Sequence, residues 1–291
     1  MLTLPGFSLT RFPRMSKALL VTGGAGYIGS HTVRMLAESG ENVVVLDNLV
    51  YGHRDAIVSE RVQLVEADMA DAGALDSIFS EHEIEAVLHF AAYCYVGESV
   101  TDPLKYYVNN TASVLPLLGA MQRAGTGNFI FSSTCATYGD PREVPMTESH
   151  VQAPINPYGM SKLMLERILT DCRKAFGLRS VFLRYFNASG CSEDGKIGED
   201  HDPETHLIPL ALMAVRGEVE QLTVFGNDYP TPDGTCIRDY VHVIDLADAH
   251  VKALQHLRDG GASLACNLGT GTGTSVKGPL PASRTGTRGR S

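Results

Sequence analysis

The chain has no tryptophan, only 6 cysteines in 291 residues, and no apolar run approaching the ~20 residues that a membrane helix needs. Cys94, Cys135, Cys172, Cys191, Cys236 and Cys266 form no CxxC pair, which disfavours a disulfide framework and reads as reduced thiols of a cytoplasmic protein. Positive charge is also short. Lys and Arg number 24 against 33 Asp and Glu, a formal net charge of -9. That balance argues against nucleic acid or an anionic membrane as a partner. It leaves room for an anionic small ligand, because a pocket can gather backbone N–H groups whatever the total charge. The first residues form no clean apolar block, and large apolar residues are scarce at the other end. Residues 1–16 read as a flexible leader, with Met15 as an alternative initiator, and 276–291 as a disordered basic tail. Between them the composition is ordinary, 44% hydrophobic and 20% charged, and long enough for a core that needs no staples.

The middle alternates strand-like and helical patterns. Apolar runs at 18–24, 41–47, 61–67, 86–92, 128–134 and 179–187 predict strands. Helical spacing at 27–39, 71–82, 104–124 and 158–176 falls between them. The repetition predicts an α/β fold, a doubly wound parallel sheet of the Rossmann type. In such a sheet ligands lie beyond the carboxyl ends of the strands, so the residues after each strand carry the interest.

After the first strand stands Gly23-Gly24-Ala25-Gly26-Tyr27-Ile28-Gly29. Glycines at this spacing allow a tight turn and let a pyrophosphate touch the backbone, while the following helix offers free N–H groups and a positive dipole end. A plain glycine-rich turn is the alternative. The placement between strand and helix favours the dinucleotide site, as does Asp47, about 20 residues after Gly26 at the end of the next strand. A carboxylate there binds both ribose hydroxyls and repels a 2′-phosphate, so NAD is favoured over NADP. Asp68 with Met69 after the third strand fits either an adenine contact or a helix cap. Phe90, Ala91 and Ala92 after the fourth offer backbone groups near a cofactor.

Tyr158 and Lys162 stand one turn apart on a predicted helix and share a face. A nearby ammonium is expected to lower the phenol's pKa by roughly 1–3 units, towards a base able to take an alcohol proton. An exposed i,i+4 pair is the plain alternative. The strand ending Ser132-Ser133-Thr134 adds a hydroxyl that can hold a substrate oxygen and relay its proton, or merely shape the turn. Asp200-His201-Asp202 with His206 lacks the spacing of a metal scaffold and reads as a solvated or substrate-facing loop, so no metal is expected.

The runs TGGAGYIGSH (22–31), FSSTCATYG (131–139), NPYGMSK (156–162), LRYFNASG (183–190), VFGNDYPTPDGTCIRDYVHV (224–243) and CNLGTG (266–271) resemble the extended short-chain dehydrogenase/reductase family and, within it, its UDP-sugar 4-epimerase branch. The likeness covers about residues 17–275. It implies interconversion of UDP-galactose and UDP-glucose through a transient 4-keto sugar with tightly bound NAD. It further implies that Thr134, Tyr158 and Lys162 are catalytic. Gly23, Gly26, Tyr27, Ile28, Gly29, Asp47, Asn48, Asp68, Met69, Phe90, Ala91, Ala92, Asn109, Tyr158, Lys162, Tyr185 and Phe186 would meet the cofactor. Thr134, Tyr158, Phe186, Asn187, His206, Leu207, Phe225, Arg238 and Tyr240 would meet the UDP-sugar. The diphosphate suits Arg238, unless that residue only pairs with Asp239. The same likeness places 17–187 in the NAD-binding domain, with 236–260 returning to it, and 188–235 with 261–275 in a smaller, incomplete substrate-binding part. It implies a homodimer, for which the apolar faces of 104–124 and 158–176 are available although core packing explains them equally well, and galactose metabolism as the setting.

The chain departs from the family in three places. Cys94 stands where a lysine is common, and His206 where asparagine is frequent. Beyond Val276 the tail replaces a helical region, which implies C-terminal truncation and leaves an impaired NAD-binding remnant as an alternative. Epimerisation of an N-acetylated or pentose UDP-sugar is another. Dehydration is disfavoured, since Cys135-Ala136 follows Thr134 in place of an acidic pair.

Overall fold

A computed structural model describes residues 16–224 and 226–278, so the leader up to residue 15, Phe225 and the tail beyond 278 lie outside the described residues. The body is one parallel sheet of seven strands. In chain order they are β1 (Ser16–Thr22), β2 (Val43–Asp47), β3 (Val62–Glu66), β4 (His82–His89), β5 (Asn128–Thr134), β6 (Arg179–Tyr185) and, after three short strands elsewhere, β10 (Leu264–Leu268). Their spatial order is β10-β6-β5-β4-β1-β2-β3. Every pairing within it is parallel.

Both faces are covered, and for that reason the strands are apolar runs rather than alternating ones. On one face α1 (Tyr27–Glu38) and α8 (Val243–Arg258) seal Val33, Leu36, Leu254 and Leu257 against Leu19, Val43 and Ile130. On the other, α2 (Ala72–Glu81), α5 (Val114–Ala124) and α6 (Pro157–Phe176) bring Leu75, Leu117, Met121 and Leu165 onto Leu20, Val44 and Phe129. Among the described residues no helix is long and apolar enough to cross a membrane.

Residues 104–124 form no single helix. Asp102 caps α4 (Pro103–Tyr107) by accepting the Lys105 N–H, and Pro103 separates it from α3 (Val96–Thr101). A π-helical turn at Val108–Ala112 then leads into α5. Besides α3 and short strands, the longer elements α7 (Leu207–Arg216), α8 and β10 went unrecognised in the sequence. The last corrects the assignment of 261–275 to the substrate-binding part, because Leu264–Leu268 pairs with β6 as the edge strand of the main sheet. Outside that sheet β7 (Asn187–Ser189) pairs with β9 (Tyr240–His242), and β8 (Ile237–Arg238) with β11 (Thr274–Ser275).

Chain order reverses between β1 and β4, and the loops leaving their carboxyl ends diverge there. That is the position at which a doubly wound sheet opens a ligand crevice.

Candidate active site

The glycine turn forms the floor of this crevice. Gly23 has φ +71, and a Cβ on it would stand 2.4 Å from the Ala91 backbone nitrogen. A Cβ on Gly29 would stand 2.2 Å from the Gly23 carbonyl oxygen. Internal packing thus demands both residues. Gly26 is different: its Cβ would meet only the Gly23 oxygen, at 3.5 Å. Its missing side chain leaves bare the N-terminus of α1, where it is the cap residue and no side chain caps the first N–H groups. Tyr27 and Ile28 open that helix half-buried, with no acid in the first turn. An anion is what such a terminus accommodates.

Asp47 is buried beside the turn and accepts the N–H of Ala25 on Oδ2 and of Leu49 on Oδ1, both at 2.9 Å. Burial pushes its pKa up, and the two backbone bonds oppose the rise. Each oxygen keeps a further acceptor position, as a ribose diol requires. Asn48 donates to Asp68 at 3.1 Å, and Asp68 accepts the Ala70 N–H at 2.8 Å. Asp68 is not the cap of α2, since Asp71 takes the N–H groups of Gly73 and Ala74. The Met69 side chain is in the core, so only its backbone remains for a ligand. Phe90 and Ala91 both donate their N–H to the Thr22 carbonyl and bury their side chains against opposite cores. Ala92 follows, half-buried, in the loop. Asn109, on the π-helical turn, donates to Asn110 at 2.9 Å.

The hydroxyl chemistry assembles at the ends of β5 and β6 and at the start of α6. Asn156 caps α6 by accepting the Gly159 N–H at 2.8 Å, and Pro157 fits the first turn. Tyr158 is therefore fixed in that turn, with Lys162 buried one turn on. Around Tyr158 stand Tyr185, Cys94, Thr134 and Cys135. Burial raises the Tyr158 pKa well above 10, and of these neighbours only the Thr134 hydroxyl lowers it. Lys162 is not among the largest influences on the phenol. Its Nζ donates to the Ser132 carbonyl at 3.0 Å and lies 5.1 Å from the Phe131 ring centre. Burial brings its own pKa down to about 8. Desolvation outweighs charge pairing here because both groups sit away from water. Tyr185 bonds to the Ser132 hydroxyl and is pushed up to about 12. The thiols of Cys94 and Cys135 are each pushed up to about 11 by burial, so both stay protonated at neutral pH.

Across the crevice Asn187 on β7 pairs in register with Tyr240 on β9, and Phe186 packs against Gly269. Arg238 is exposed on β8 and, among the described residues, its side chain donates only to the Ile237 carbonyl at 3.0 Å. It has no ion pair with Asp239, whose carboxylate accepts from Thr270 and Gly271. The guanidinium is close enough to shift the titration of Cys135 and Tyr240, which sets it at the site's edge. His206 caps α7 and Leu207 opens it, both half-buried.

A family profile described as the NAD dependent epimerase/dehydratase family matches residues 19–269. The chain belongs to that family. A UDP-glucose 4-epimerase of Rhizobium leguminosarum bv. trifolii is 54% identical over 261 residues, 90% of this chain and 79% of the relative. The crystal structure of UDP-glucose 4-epimerase from Brucella ovis in complex with NAD superposes with a TM-score of 0.88 at 53% identity, covering 92% of this chain and 81% of that one. The Bifidobacterium longum enzyme, in complex with NAD+ and UDP, gives a TM-score of 0.85 at 39% identity, covering 92% and 82%.

Within this family member two residues that linear reading passed over hold the site together. Glu166 lies one turn beyond Lys162 on α6 and accepts from Ser133 at 2.7 Å and from Arg184 at 2.9 and 2.6 Å. The signal was an acid continuing the buried face of Tyr158 and Lys162. Asn110 accepts the Tyr93 N–H at 2.8 Å and donates to the Tyr93 carbonyl at 2.9 Å and Ser161 at 3.2 Å. It ties the loop after β4 to α6, and only the π-helical turn aims it there.

Proposed function

We infer that the chain is a UDP-glucose 4-epimerase, interconverting UDP-glucose and UDP-galactose by inversion at sugar C4 with NAD as its cofactor. The carrying observation is the convergence of Thr134, Tyr158 and Lys162 at the crevice above the bare N-terminus of α1. The cradle fits NAD on two counts, the open space at Gly26 and the acceptor-only carboxylate of Asp47. NAD supplies the acceptor, and then the donor, of the C4 hydride.

The chain's own residues handle the proton. Without a ligand Tyr158 holds its proton; with the positive nicotinamide of NAD+ beside it, which would favour the phenolate, its Oη would take the proton from the sugar 4-hydroxyl and return it once the 4-keto sugar has presented its other face. Thr134, whose Oγ1 already accepts the Ala136 N–H at 3.1 Å, holds the substrate oxygen with its own O–H. Lys162 spends one donor on Ser132 and keeps two for the phenolate and the nicotinamide ribose. Arg238, free of Asp239, presents its fork to the diphosphate, beside Tyr240, Asn187, Phe186 and the His206-Leu207 start of α7. Cys135, protonated at neutral pH, is no substitute for the acid that dehydration needs.

The test is Tyr158→Phe. C4 epimerisation followed by product chromatography should fall about 10²–10⁴-fold, while NAD co-purifies as with the parent chain. Unchanged turnover would remove Tyr158 as the base.

A cytoplasmic homodimer acting in galactose metabolism completes the reading. Val100, Leu104, Val108 and Leu115 leave 61%, 73%, 59% and 49% of their surface exposed along α3–α5, beside Met164 on α6. A second copy is the fitting occupant of such a stripe. Leu104→Lys should convert the dimer to a monomer in analytical ultracentrifugation.

A further inference from the structure

Glu199, His201, Glu204 and His206 converge just before α7, although they lie on an irregular segment. One ligand atom from each lies within 4.8 Å of the others. His206 Nδ1 is 3.0 Å from Glu199 Oε1 and 2.9 Å from Glu204 Oε1. His201 Nδ1 is 3.5 Å from Glu199 Oε1 and 3.8 Å from Glu204 Oε2. A tetrahedral ion with bonds of about 2.0–2.1 Å to nitrogen and oxygen spaces its ligands about 3.3–3.4 Å apart. The four separations straddle that edge length.

Charge points the same way. The glutamate side chains are only 9% and 8% exposed. Among the described residues neither forms an ion pair with a lysine or arginine. With neutral imidazoles the cluster carries two buried carboxylates and no lysine or arginine against them, although Glu204 Oε1 accepts the N–H groups of Thr205 and His206 at 2.7 Å; buried carboxylates call for a cation. Among the described residues His201 Nδ1, shielded from solvent, has no acceptor closer than Glu199 Oε1 at 3.5 Å. Tyr95, itself buried, has a hydroxyl without a partner among the described residues, and its ring lies 6.2 and 6.3 Å from the two imidazoles. Asp200 and Asp202, which the linear pattern made conspicuous, are exposed, and Asp200 faces His53 at 3.5 Å.

We propose that Glu199, His201, Glu204 and His206 bind one divalent transition-metal ion of the Zn2+ type. Imidazole ligands select against Mg2+ and Ca2+, and four protein ligands close the shell, which marks a structural site. Its work is to fasten the segment after β7 over the start of α1. There Tyr27 donates its hydroxyl to the Gly190 carbonyl at 2.6 Å, and its ring lies 6.4 Å from His201. Linear spacing gave no metal because the two carboxylates, not the neighbouring aspartates, complete the set.

The test uses the full chain purified without a polyhistidine tag, stripped with a chelator and titrated with Zn2+ by calorimetry at neutral pH. One equivalent should bind, and the thermal midpoint should rise. Co2+ should give the visible band of a four-coordinate site. His201→Ala/Glu204→Gln should weaken Zn2+ binding by at least about tenfold. Glu204→Gln alone serves as the milder variant should the double one not fold by circular dichroism, and it should also weaken binding. Less than a fifth of an equivalent bound, or parent-like affinity in the variants, would overturn the site and leave protonated histidines as the counter-charge.

Discussion

Every residue of β2 and β5 is sealed from water, whereas α7, ten residues long and apolar in sequence, has none buried, and β10 is half-buried throughout. The sheet that carries the glycine turn and Tyr158 is held by apolar packing on both faces. The segment that carries Arg238 and His206 is held by polar contacts near the surface: Arg34 with Asp194 at 3.0 Å, Asp233 with Thr235 at 2.7 Å, and Asp239 with the 270–271 turn. Close packing tolerates few substitutions, and solvated polar contacts tolerate many. The sheet should therefore be brittle and the segment with Arg238 and His206 forgiving, apart from its histidine–glutamate cluster.

Paired substitutions break or confirm that contrast, and the glycines give the largest effect. Gly23→Ala drives a Cβ to 2.4 Å from the Ala91 nitrogen at φ +71 and should cost about 4 kcal/mol or more in urea unfolding. Gly217→Ala has φ +76 with open space around it and should cost only about 1–2 kcal/mol. Equal losses would mean that backbone conformation, not packing, sets the cost.

The next effect compares ion pairs. Glu166 and Arg184, 3% and 7% exposed, are bonded at 2.6 Å, so Glu166→Gln should destabilise by about 3–5 kcal/mol. Arg216 and Glu218 at 2.8 Å are largely exposed, and Glu218→Gln should change stability by less than about 0.5 kcal/mol. Glu166→Gln should also lower kcat more than it raises KM, because it frees Ser133 beside Thr134.

The smallest effect is graded by pH. Burial lowers His89 to about 3 and His250 to about 4, from an ordinary 6.5. The unfolded chain takes up those protons below about pH 6.5, and the folded chain does not until about 3–4. Their contribution is complete above 6.5 and is lost as pH falls towards 3. Unfolding followed by circular dichroism should therefore show stability falling from pH 6.5 downward, and His250→Gln should flatten the slope if the protein folds. A pH-independent midpoint would show that these imidazoles are not sealed in the packed half.

Where an element needs only its own residues, the sequence was enough. The glycine spacing, the aspartate ending β2, the Pro-Tyr start of α6 and the alternation that specifies a doubly wound sheet are local patterns. Gly23, Asp47, Thr134 and Tyr158 could be picked out from them. The break at Val108–Ala112 was invisible, because it depends on Asn110 finding the Tyr93 backbone across a loop. β10 was missed since its pairing with β6 joins segments far apart in the chain.

The sequence by itself determined the parallel sheet, the dinucleotide turn and the order of hydroxyl, phenol and ammonium along the chain, since each follows from near-neighbour spacing and apolar period. Only the tertiary structure decided that Tyr158 lies where burial raises its pKa, that Lys162 turns to Ser132, that Arg238 is free of Asp239, and that two glutamates close on two histidines. Those outcomes depend on which side chains lose water and what they meet when they do, and residues distant in the chain set both.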